Sequence, residues 1–295
     1  MSSAFPPPRP VEPGSTIGLV APAGPFDRGR FEAGVAWLRE RYTVRFDDDI
    51  FEKTGYFAGS DARRLRELRD AIRDPEIDAI LCARGGYGAT RLLPDLVPAE
   101  VAAANKALVG FSDITALHAL WARAGVRSIH APMAGALAGA TEPIREEWIR
   151  TLEGRDAPET WTLQPIVAGA AEGRLFGGNL AVIAALLGTP FLPRTDGCVL
   201  FLEDVGERPY RVDRMLTSLL HAGWFAGCAG IVIGAFTEGK PGDDGVSTEE
   251  VIAERLGNLG VPVIAGFPGG HIDDNEPLTF GAAARIDGDR FTISA

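Results

Sequence analysis

The stretch ALVGFSDITALH holds the first candidate for chemistry in this 295-residue chain, a serine at a strand-to-helix junction. Apolar residues lead into Ser112 and Asp113, and residues at helical spacing follow them. In one interpretation Ser112 caps the helix, because serine is a favoured N-cap. In the other, the tight turn exposes its hydroxyl for nucleophilic attack, and the helix N-terminus stabilises developing negative charge. Ile114 stands where the G-x-S-x-G motif of hydrolases requires glycine, so this stretch alone leaves both interpretations open.

A serine nucleophile needs a base, and the chain has four histidines. His118 lies on the helix that follows Ser112 and is expected to be a half-buried packing residue. His130 ends a short predicted strand and His221 falls near the end of a predicted helix, so both are interpreted as structural. His271 follows the glycine-rich segment GFPGG after a strand, where polar loop residues are typical of chemistry, and is the candidate base.

The apolar strand VLFLEDV ends with two adjacent carboxylates, Glu203 and Asp204. Neighbouring residues on a strand face opposite ways, so only one of the two can meet a given imidazole. The pattern alone leaves a solvated strand end or a helix cap as the alternative to an orienting acid. Acidic residues also follow His271, but no metal-binding motif has their spacing, and no metal site is predicted.

The stretch ILCARGGYGATRLLP places a glycine-rich loop between a predicted strand and a predicted helix. Such glycines let backbone N–H groups approach a ligand, which makes Gly86 a candidate oxyanion donor, while a simple tight turn is the alternative. Arg91 replaces the third glycine of the dinucleotide fingerprint. In GAFTEGKP, which is close to a phosphate-binding loop, Pro241 replaces the required hydroxyl. No cofactor is therefore predicted.

Composition restricts the class of partner. The net charge of −11 argues against a nucleic-acid partner, and the hydrophobic share of 46% is that of a globular protein with a core. Three widely separated cysteines provide neither a disulfide framework nor a zinc pattern. The start MSSAFPPPRPVEPG lacks the apolar segment of a secretion signal, and no apolar run approaches the ~20 residues that span a bilayer. We therefore expect a cytoplasmic protein that does not bind membranes.

Apolar stretches alternate with helical patterns along most of the chain, which predicts an α/β fold with βαβ units and a parallel sheet. Residues 151–164 break this rhythm and are predicted to be a linker. They separate an N-terminal domain, residues 1–150, from a C-terminal domain, residues 165–295. Near the end of the chain, AAARI and RFTIS flank DGD, which predicts a hairpin.

Seven stretches together resemble the LD-carboxypeptidase family of serine peptidases, which includes the muramoyl-tetrapeptide carboxypeptidases and the related microcin C immunity peptidases. They cover nearly the whole chain in order. The stretches are APAGPFD, GYFAGSDARRLREL, ARGGYGATRLLP, GFSDITALH, GGNLAVIAALLGTPFLP, LFLEDVGERPYRVDRML and GH followed by NEPLTFG.

The resemblance implies a role for each matching residue. Ser112 would be the nucleophile, Glu203 the orienting acid and His271 the base, with an oxyanion hole from the backbone N–H groups of Gly86 and Asp113. It implies a flavodoxin-like N-terminal domain, a parallel sheet flanked by helices, that carries the serine. A smaller C-terminal α/β domain rich in β-structure would carry the acid and the base, and members are commonly homodimers.

The function that the resemblance implies is removal of the terminal D-alanine from murein tetrapeptides in peptidoglycan recycling, without metal or cofactor. The small peptide would be cleaved at its L,D amide bond through an acyl-enzyme. One alternative is an immunity-type peptidase that cleaves peptidyl or aminoacyl nucleotides such as microcin C. Another is a two-domain protein that binds a small ligand without chemistry.

Overall fold

The computed structural model of the protein describes residues 4–154 and 158–294, and its chain divides into two compact units. Among the described residues, the N-terminal unit comprises 6–154 and Glu276–Thr279, and the C-terminal unit comprises 4–5, 158–275 and 280–294. The predicted linker contains the end of a helix, at 151–153, and a strand, at 159–162. Residues 155–157 of that linker lie outside the described residues, as do residues 1–3 of the segment assessed as a secretion signal. The domain limits stay a prediction.

The described residues form fourteen strands in two sheets. The strands are β1 (Thr16–Val20), β2 (Thr43–Arg45), β3 (Ala79–Cys82), β4 (Ala107–Gly110), β5 (Ser128–His130), β6 (Glu159–Thr162), β7 (Gln164–Val167), β8 (Ala170–Asn179), β9 (Cys198–Val205), β10 (Gly230–Thr237), β11 (Val263–Ala265), β12 (Leu278–Phe280), β13 (Ala283–Asp287) and β14 (Arg290–Ile293).

Helices of varied length connect these strands. They are α1 (Arg28–Leu38), α2 (Asp61–Arg73), α3 (Pro98–Ala104), α4 (Thr115–Ala124), α5 (Ala134–Leu137), α6 (Glu142–Glu153), α7 (Leu180–Ala185), α8 (Pro209–His221) and α9 (Thr248–Leu256), with 3-10 segments at Asp48–Phe51, Ala89–Asp95 and Ser112–Ile114.

The sheet of the N-terminal unit has the order β12-β5-β4-β3-β1-β2, in which β1 to β5 form a parallel flavodoxin-like arrangement. Ile17 of β1 lies opposite Val44 of β2 and Ala79 of β3, in register. The strands β3 and β4 are buried at every position, because helices cover a parallel sheet on both faces. The carboxyl ends of β1, β3 and β4 therefore lie side by side, which brings together the loops that follow them.

Helix α2 shows why the sequence pattern only partly predicts burial. It begins after the N-cap Ser60, whose hydroxyl accepts a hydrogen bond from a backbone N–H of the first turn. Its buried face carries Leu68 and Ile72, as the helical spacing predicts. It also buries Arg64 and Glu67, which an apolar stripe does not indicate.

The sheet of the C-terminal unit has eight strands in the order β6-β14-β13-β8-β9-β10-β11-β7. Its centre, β8 to β11, is parallel, and antiparallel strands complete both edges. The predicted hairpin is confirmed as β13 and β14. The long strand β8 is not indicated by the sequence, since it is rich in glycine, which weakens strands. Glycine is required there: a Cβ on Gly177 would lie 1.9 Å from the carbonyl oxygen of Phe201.

The fold class is as expected: α/β, with a parallel N-terminal sheet and a C-terminal domain rich in β-structure. The cysteines Cys82, Cys198 and Cys228 are free and buried, as small apolar residues are. No helix within the described residues is both long enough and apolar enough to cross a membrane.

Candidate active site

Ser112 adopts a backbone conformation that is uncommon outside glycine. Its φ is +64°, in the left-handed region, on the short turn between Gly110 at the end of β4 and Thr115 at the start of α4. The N-cap of α4 is Ile114, so Ser112 does not occupy the cap position. Strained residues persist where the surrounding structure holds them, and they cluster at active sites. Of the two interpretations, the turn favours a hydroxyl presented for chemistry.

The glycine-rich loop packs directly against this serine. A Cβ on Gly85 would lie 2.9 Å from the Cβ of Ser112 and 3.2 Å from its Oγ, so only glycine fits there. The carbonyl of Gly85 accepts a hydrogen bond from Gly24 N–H, 2.9 Å away, in the loop after β1. Gly86 has a φ of +106°, which also requires glycine. The loops after β1, β3 and β4 thus meet around Ser112.

Asp113 ties the glycine-rich loop to the serine turn through its side chain. Its Oδ2 accepts a hydrogen bond from the backbone N–H of Ala89 at 2.8 Å, and the residue is only 3% exposed. Burial raises the pKa of Asp113 to about 6. Hydrogen bonds from the backbone of Ala89 and Gly88 and the positive charge of Arg64 oppose this shift. The family resemblance implies a role only for the backbone N–H of Asp113, whereas its carboxylate also anchors the glycine-rich loop.

Buried charges of α2 hold the loop after β1. Arg64 donates to the carbonyl of Pro22 and pairs with Asp61. Glu67 accepts a hydrogen bond from Ala21 N–H at 2.6 Å and pairs with Arg63. Burial raises the pKa of Glu67 to about 7, and the positive charge of Arg63 opposes this shift. These side chains satisfy loop groups that the sheet leaves unpaired, and sequence reasoning missed them because they interrupt an amphipathic pattern.

Within the C-terminal unit, Glu203 and His271 form a hydrogen-bonded pair. His271 Nδ1 donates to Glu203 Oε2 at 2.7 Å, and the carboxylate side chain is fully buried while the imidazole is 19% exposed. A proton held at Nδ1 leaves Nε2 as the basic nitrogen of the ring. The pair has the geometry of an oriented general base.

The strand geometry separates Glu203 from its neighbour, as predicted. Asp204 faces the other way and accepts hydrogen bonds from Asn179 Nδ2 at 3.0 Å and from Ala181 N–H at 2.8 Å, at the start of α7. Burial raises the pKa of Asp204 to about 6. One carboxylate therefore meets the imidazole and the other secures a helix.

The loop that carries His271 is fixed by its glycines and by an amide. Gly270 has a φ of +121°, and a Cβ there would lie 2.8 Å from Glu203 Oε2. The N–H of Gly270 donates to Asn275 Oδ1 at 2.8 Å, and Thr237 Oγ1 donates to the carbonyl of His271 at 3.3 Å. The close approach between the loop that carries His271 and the side chain of Glu203 on β9 thus depends on glycine at position 270.

The remaining histidines are structural in their surroundings. His118 was expected to be half-buried but is fully buried, since the helix packs its ring onto the sheet. Its Nε2 donates to the carbonyl of Gly110 at 2.9 Å, and its Nδ1 accepts from Ser128 Oγ at 2.8 Å. Burial lowers the pKa of His118 to about 3, with a contribution from His130, which is also buried. His221 ends α8 on the surface.

Across residues 4–154 and 158–294, no group of three or more His, Cys, Asp or Glu side chains could hold a metal ion.

Comparison with known proteins decides the family. Residues 17–131 match the model of the LD-carboxypeptidase N-terminal domain, and residues 172–286 match that of the LD-carboxypeptidase C-terminal domain. A putative carboxypeptidase of Streptomyces coelicolor is 40% identical, over 96% of this chain and 94% of the relative. The chain belongs to the LD-carboxypeptidase family. It is thus a member of a family of serine-type peptidases.

Further relatives of this LD-carboxypeptidase family member carry more specific names. The murein tetrapeptide carboxypeptidase of Pseudomonas aeruginosa is 30% identical, over 93% of this chain and 94% of that protein. A crystal structure of muramoyltetrapeptide carboxypeptidase from Oxalobacter formigenes has a TM-score of 0.86 and 30% identity, covering 95% and 99% of the two chains. The structure of MccF with glutamyl sulfamoyl guanosine has a TM-score of 0.89 at 23% identity, covering 99% and 98%, and shows the shared fold alone.

The structure groups the predicted residues within each unit. Ser112 and Asp113 share one turn of the N-terminal unit, beside the loop that contains Gly86. Glu203 and His271 are hydrogen-bonded in the C-terminal unit. Their catalytic roles stay predictions.

Proposed function

We propose that this protein is a serine carboxypeptidase that releases the terminal D-alanine of murein tetrapeptides by cleaving an L,D amide bond. The observation that carries the proposal is Ser112, held at a φ of +64° with its hydroxyl against the glycine-rich loop. The names of the relatives from Pseudomonas aeruginosa and Oxalobacter formigenes support the choice of substrate.

The proposed reaction begins when Ser112 Oγ attacks the carbonyl carbon of the amide. His271 takes the hydroxyl proton at Nε2 and then donates it to the leaving nitrogen of D-alanine, while Glu203 holds the imidazole in the required tautomer. Water then attacks the acyl-enzyme, with His271 again as the base, and the shortened peptide leaves. Every proton is carried by the chain or by water, so the steps require neither metal nor cofactor.

The oxyanion formed in each step needs donors that are fixed before the reaction. We assign this role to the backbone N–H groups of Gly86 and Asp113, which are anchored by the contacts between Gly85 and Gly24 and between Asp113 and Ala89. Loss of a single donor of this kind has cost about 3 kcal/mol in other enzymes. The rigid connection between both donors and Ser112 supports the assignment.

The proposal is tested by incubating the protein with murein tetrapeptide and measuring free D-alanine. We expect release by the wild type and at least a ~10³-fold loss in Ser112→Ala, because the nucleophile is removed. Ser218→Ala is the matched control, since Ser218 is an exposed serine of α8 that donates to Arg214 O. Release of D-alanine by Ser112→Ala at the wild-type rate would contradict the proposal. Cleavage of a peptidyl nucleotide without cleavage of the tetrapeptide would favour the immunity-type activity.

Homodimer formation and a cytoplasmic location stay predictions from the family resemblance and from the sequence. Size-exclusion chromatography with light scattering tests the dimer, and fractionation of cells tests the location.

A further inference from the structure

Arg84 places a positive charge next to the proposed nucleophile. It lies two residues after the end of β3 and precedes Gly85, and its side chain is exposed. The guanidinium donates through Nη1 to the carbonyl of Pro25 at 2.6 Å. An arginine has five N–H donors, and this hydrogen bond to a neutral carbonyl uses one of them.

The other arginines around these loops are neutralised by carboxylates. Arg63 pairs with Glu67, while Arg64 and Arg91 both pair with Asp61. Among the residues that the structure describes, no carboxylate lies within ion-pair distance of Arg84. In a chain of net charge −11, an unneutralised guanidinium at this position is conspicuous.

The position of Arg84 suits a negative group one residue beyond the reacting bond. A Cβ on the adjacent Gly85 would lie only 3.2 Å from Ser112 Oγ. Consecutive Cα atoms are about 3.8 Å apart, so the backbone of Arg84 lies close to the point of attack. The carboxylate of a C-terminal residue follows the amide bond that is cut by about one residue, or ~3.5 Å of chain.

We propose that Arg84 binds the terminal carboxylate of the peptide substrate and so restricts cleavage to the last amide bond. The inference rests on the proposed function, since it concerns the same substrate. A guanidinium can bind a carboxylate through two parallel hydrogen bonds, which fixes its orientation as well as its position. The bond to Pro25 holds the guanidinium beside the loop before substrate binds. Arg84 is thus a substrate-binding residue that determines specificity.

The test compares two substrates that differ only at the C-terminus: murein tetrapeptide with D-alanine, and the same peptide ending in D-alaninamide. We expect wild-type kcat/KM to be about 10- to 100-fold higher for the acid, as for loss of a hydrogen bond to a charged group. In Arg84→Gln, which keeps a donor for Pro25 O but removes the charge, this preference should fall to about onefold, because kcat/KM for the acid falls more than kcat/KM for the amide. Arg84→Lys should restore part of the preference, because it restores the charge without the planar fork.

The matched control is Arg39→Ala, which removes one positive charge at the end of α1, away from the glycine-rich loop, and should keep the wild-type preference. Arg84→Gln with the wild-type preference for the acid would overturn the inference, as would equal cleavage of acid and amide by the wild type. Failure of the proposed function is distinct, because the wild type would then cleave neither peptide and would release neither D-alanine nor D-alaninamide. Circular dichroism of each variant confirms folding, and Arg84→Lys carries the comparison if Arg84→Gln does not fold.

Discussion

His271 Nδ1 donates a hydrogen bond of 2.7 Å to Oε2 of Glu203, a carboxylate whose side chain is fully buried. The burial matters because a charge removed from water interacts strongly with its partner. In the proposed mechanism His271 is positively charged after it takes the serine proton, and the carboxylate of Glu203 lies next to that charge. The pair therefore acts as one unit, in which the strand fixes the acid and the loop fixes the base.

Replacing Glu203 by glutamine should lower kcat by about 10²- to 10⁴-fold, because the amide cannot stabilise the imidazolium and favours the wrong tautomer. KM should change little. Steady-state kinetics of D-alanine release measure both constants. Glu172→Gln is the control, since Glu172 is an exposed carboxylate paired with Arg285. Wild-type kcat in Glu203→Gln would exclude the orienting role.

Asp113→Asn should lower kcat by about tenfold or more while KM changes little, because oxyanion donors act mainly on the transition state. The carboxylate accepts the Ala89 N–H at 2.8 Å, and the neutral amide holds the loop less firmly. Asp78→Asn is the matched control, since Asp78 accepts a backbone N–H from Thr16 at 2.9 Å at the opposite end of the sheet. An increase in KM with unchanged kcat in Asp113→Asn would assign this residue to substrate binding instead.

Gly85→Ala should abolish most activity, because the new methyl group would lie 2.9 Å from the Cβ of Ser112 and must displace the serine or the loop. Gly29→Ala is the comparison, since a Cβ there meets only the side chain of Asp27, at 3.5 Å. D-alanine release and thermal unfolding should be measured for both. Full activity in Gly85→Ala would show that the close packing of this loop is not needed.

His118 should make stability depend on pH. Its pKa is lowered to about 3 in the folded protein, whereas an unfolded histidine titrates near 6.5. Between these values the unfolded state binds more protons, so the free energy of unfolding falls as pH drops below about 6.5. From pH 6.5 to pH 5 this loss amounts to about 2 kcal/mol.

The measurement is urea unfolding at pH 7 and pH 5 for the wild type and His118→Gln. The variant should be less stable at pH 7, because two buried hydrogen bonds are altered, and it should lose less stability on acidification. Equal losses in both proteins would show that His118 does not contribute to the pH dependence.

The sequence predicts the parallel core of the N-terminal unit because buried strands are short apolar runs between helices. The three-residue strand β12 is too short to show any periodicity, so the sequence does not predict it. The sequence does not predict β8 either, because it contains glycines that the close approach of β9 requires. At α2, the apolar stripe predicts Leu68 but gives no sign of the buried Arg64, which satisfies a loop carbonyl. Such residues form hydrogen bonds with backbone groups that are distant in the sequence, and a local pattern contains no information about them.

The sequence likewise predicts some features of the candidate site, whereas others depend on the fold. Strand alternation predicts that either Glu203 or Asp204, and not both, meets an imidazole, but the choice depends on the loop of His271. The serine junction predicts a turn, whereas neither the positive φ of Ser112 nor its close approach to Gly85 is visible in the local pattern. Side-chain anchoring by Asp113 requires the fold to bring Ala89 beside it.

The proposed mechanism requires that Ser112 forms an acyl-enzyme with the peptide. Rapid quenching during turnover of murein tetrapeptide, followed by intact mass spectrometry and peptide mapping, tests it directly. We expect an adduct of the murein tripeptide acyl group on the peptide that contains Ser112, and its loss in Ser112→Ala. An adduct on a different side chain, with unchanged turnover in Ser112→Ala, would contradict it.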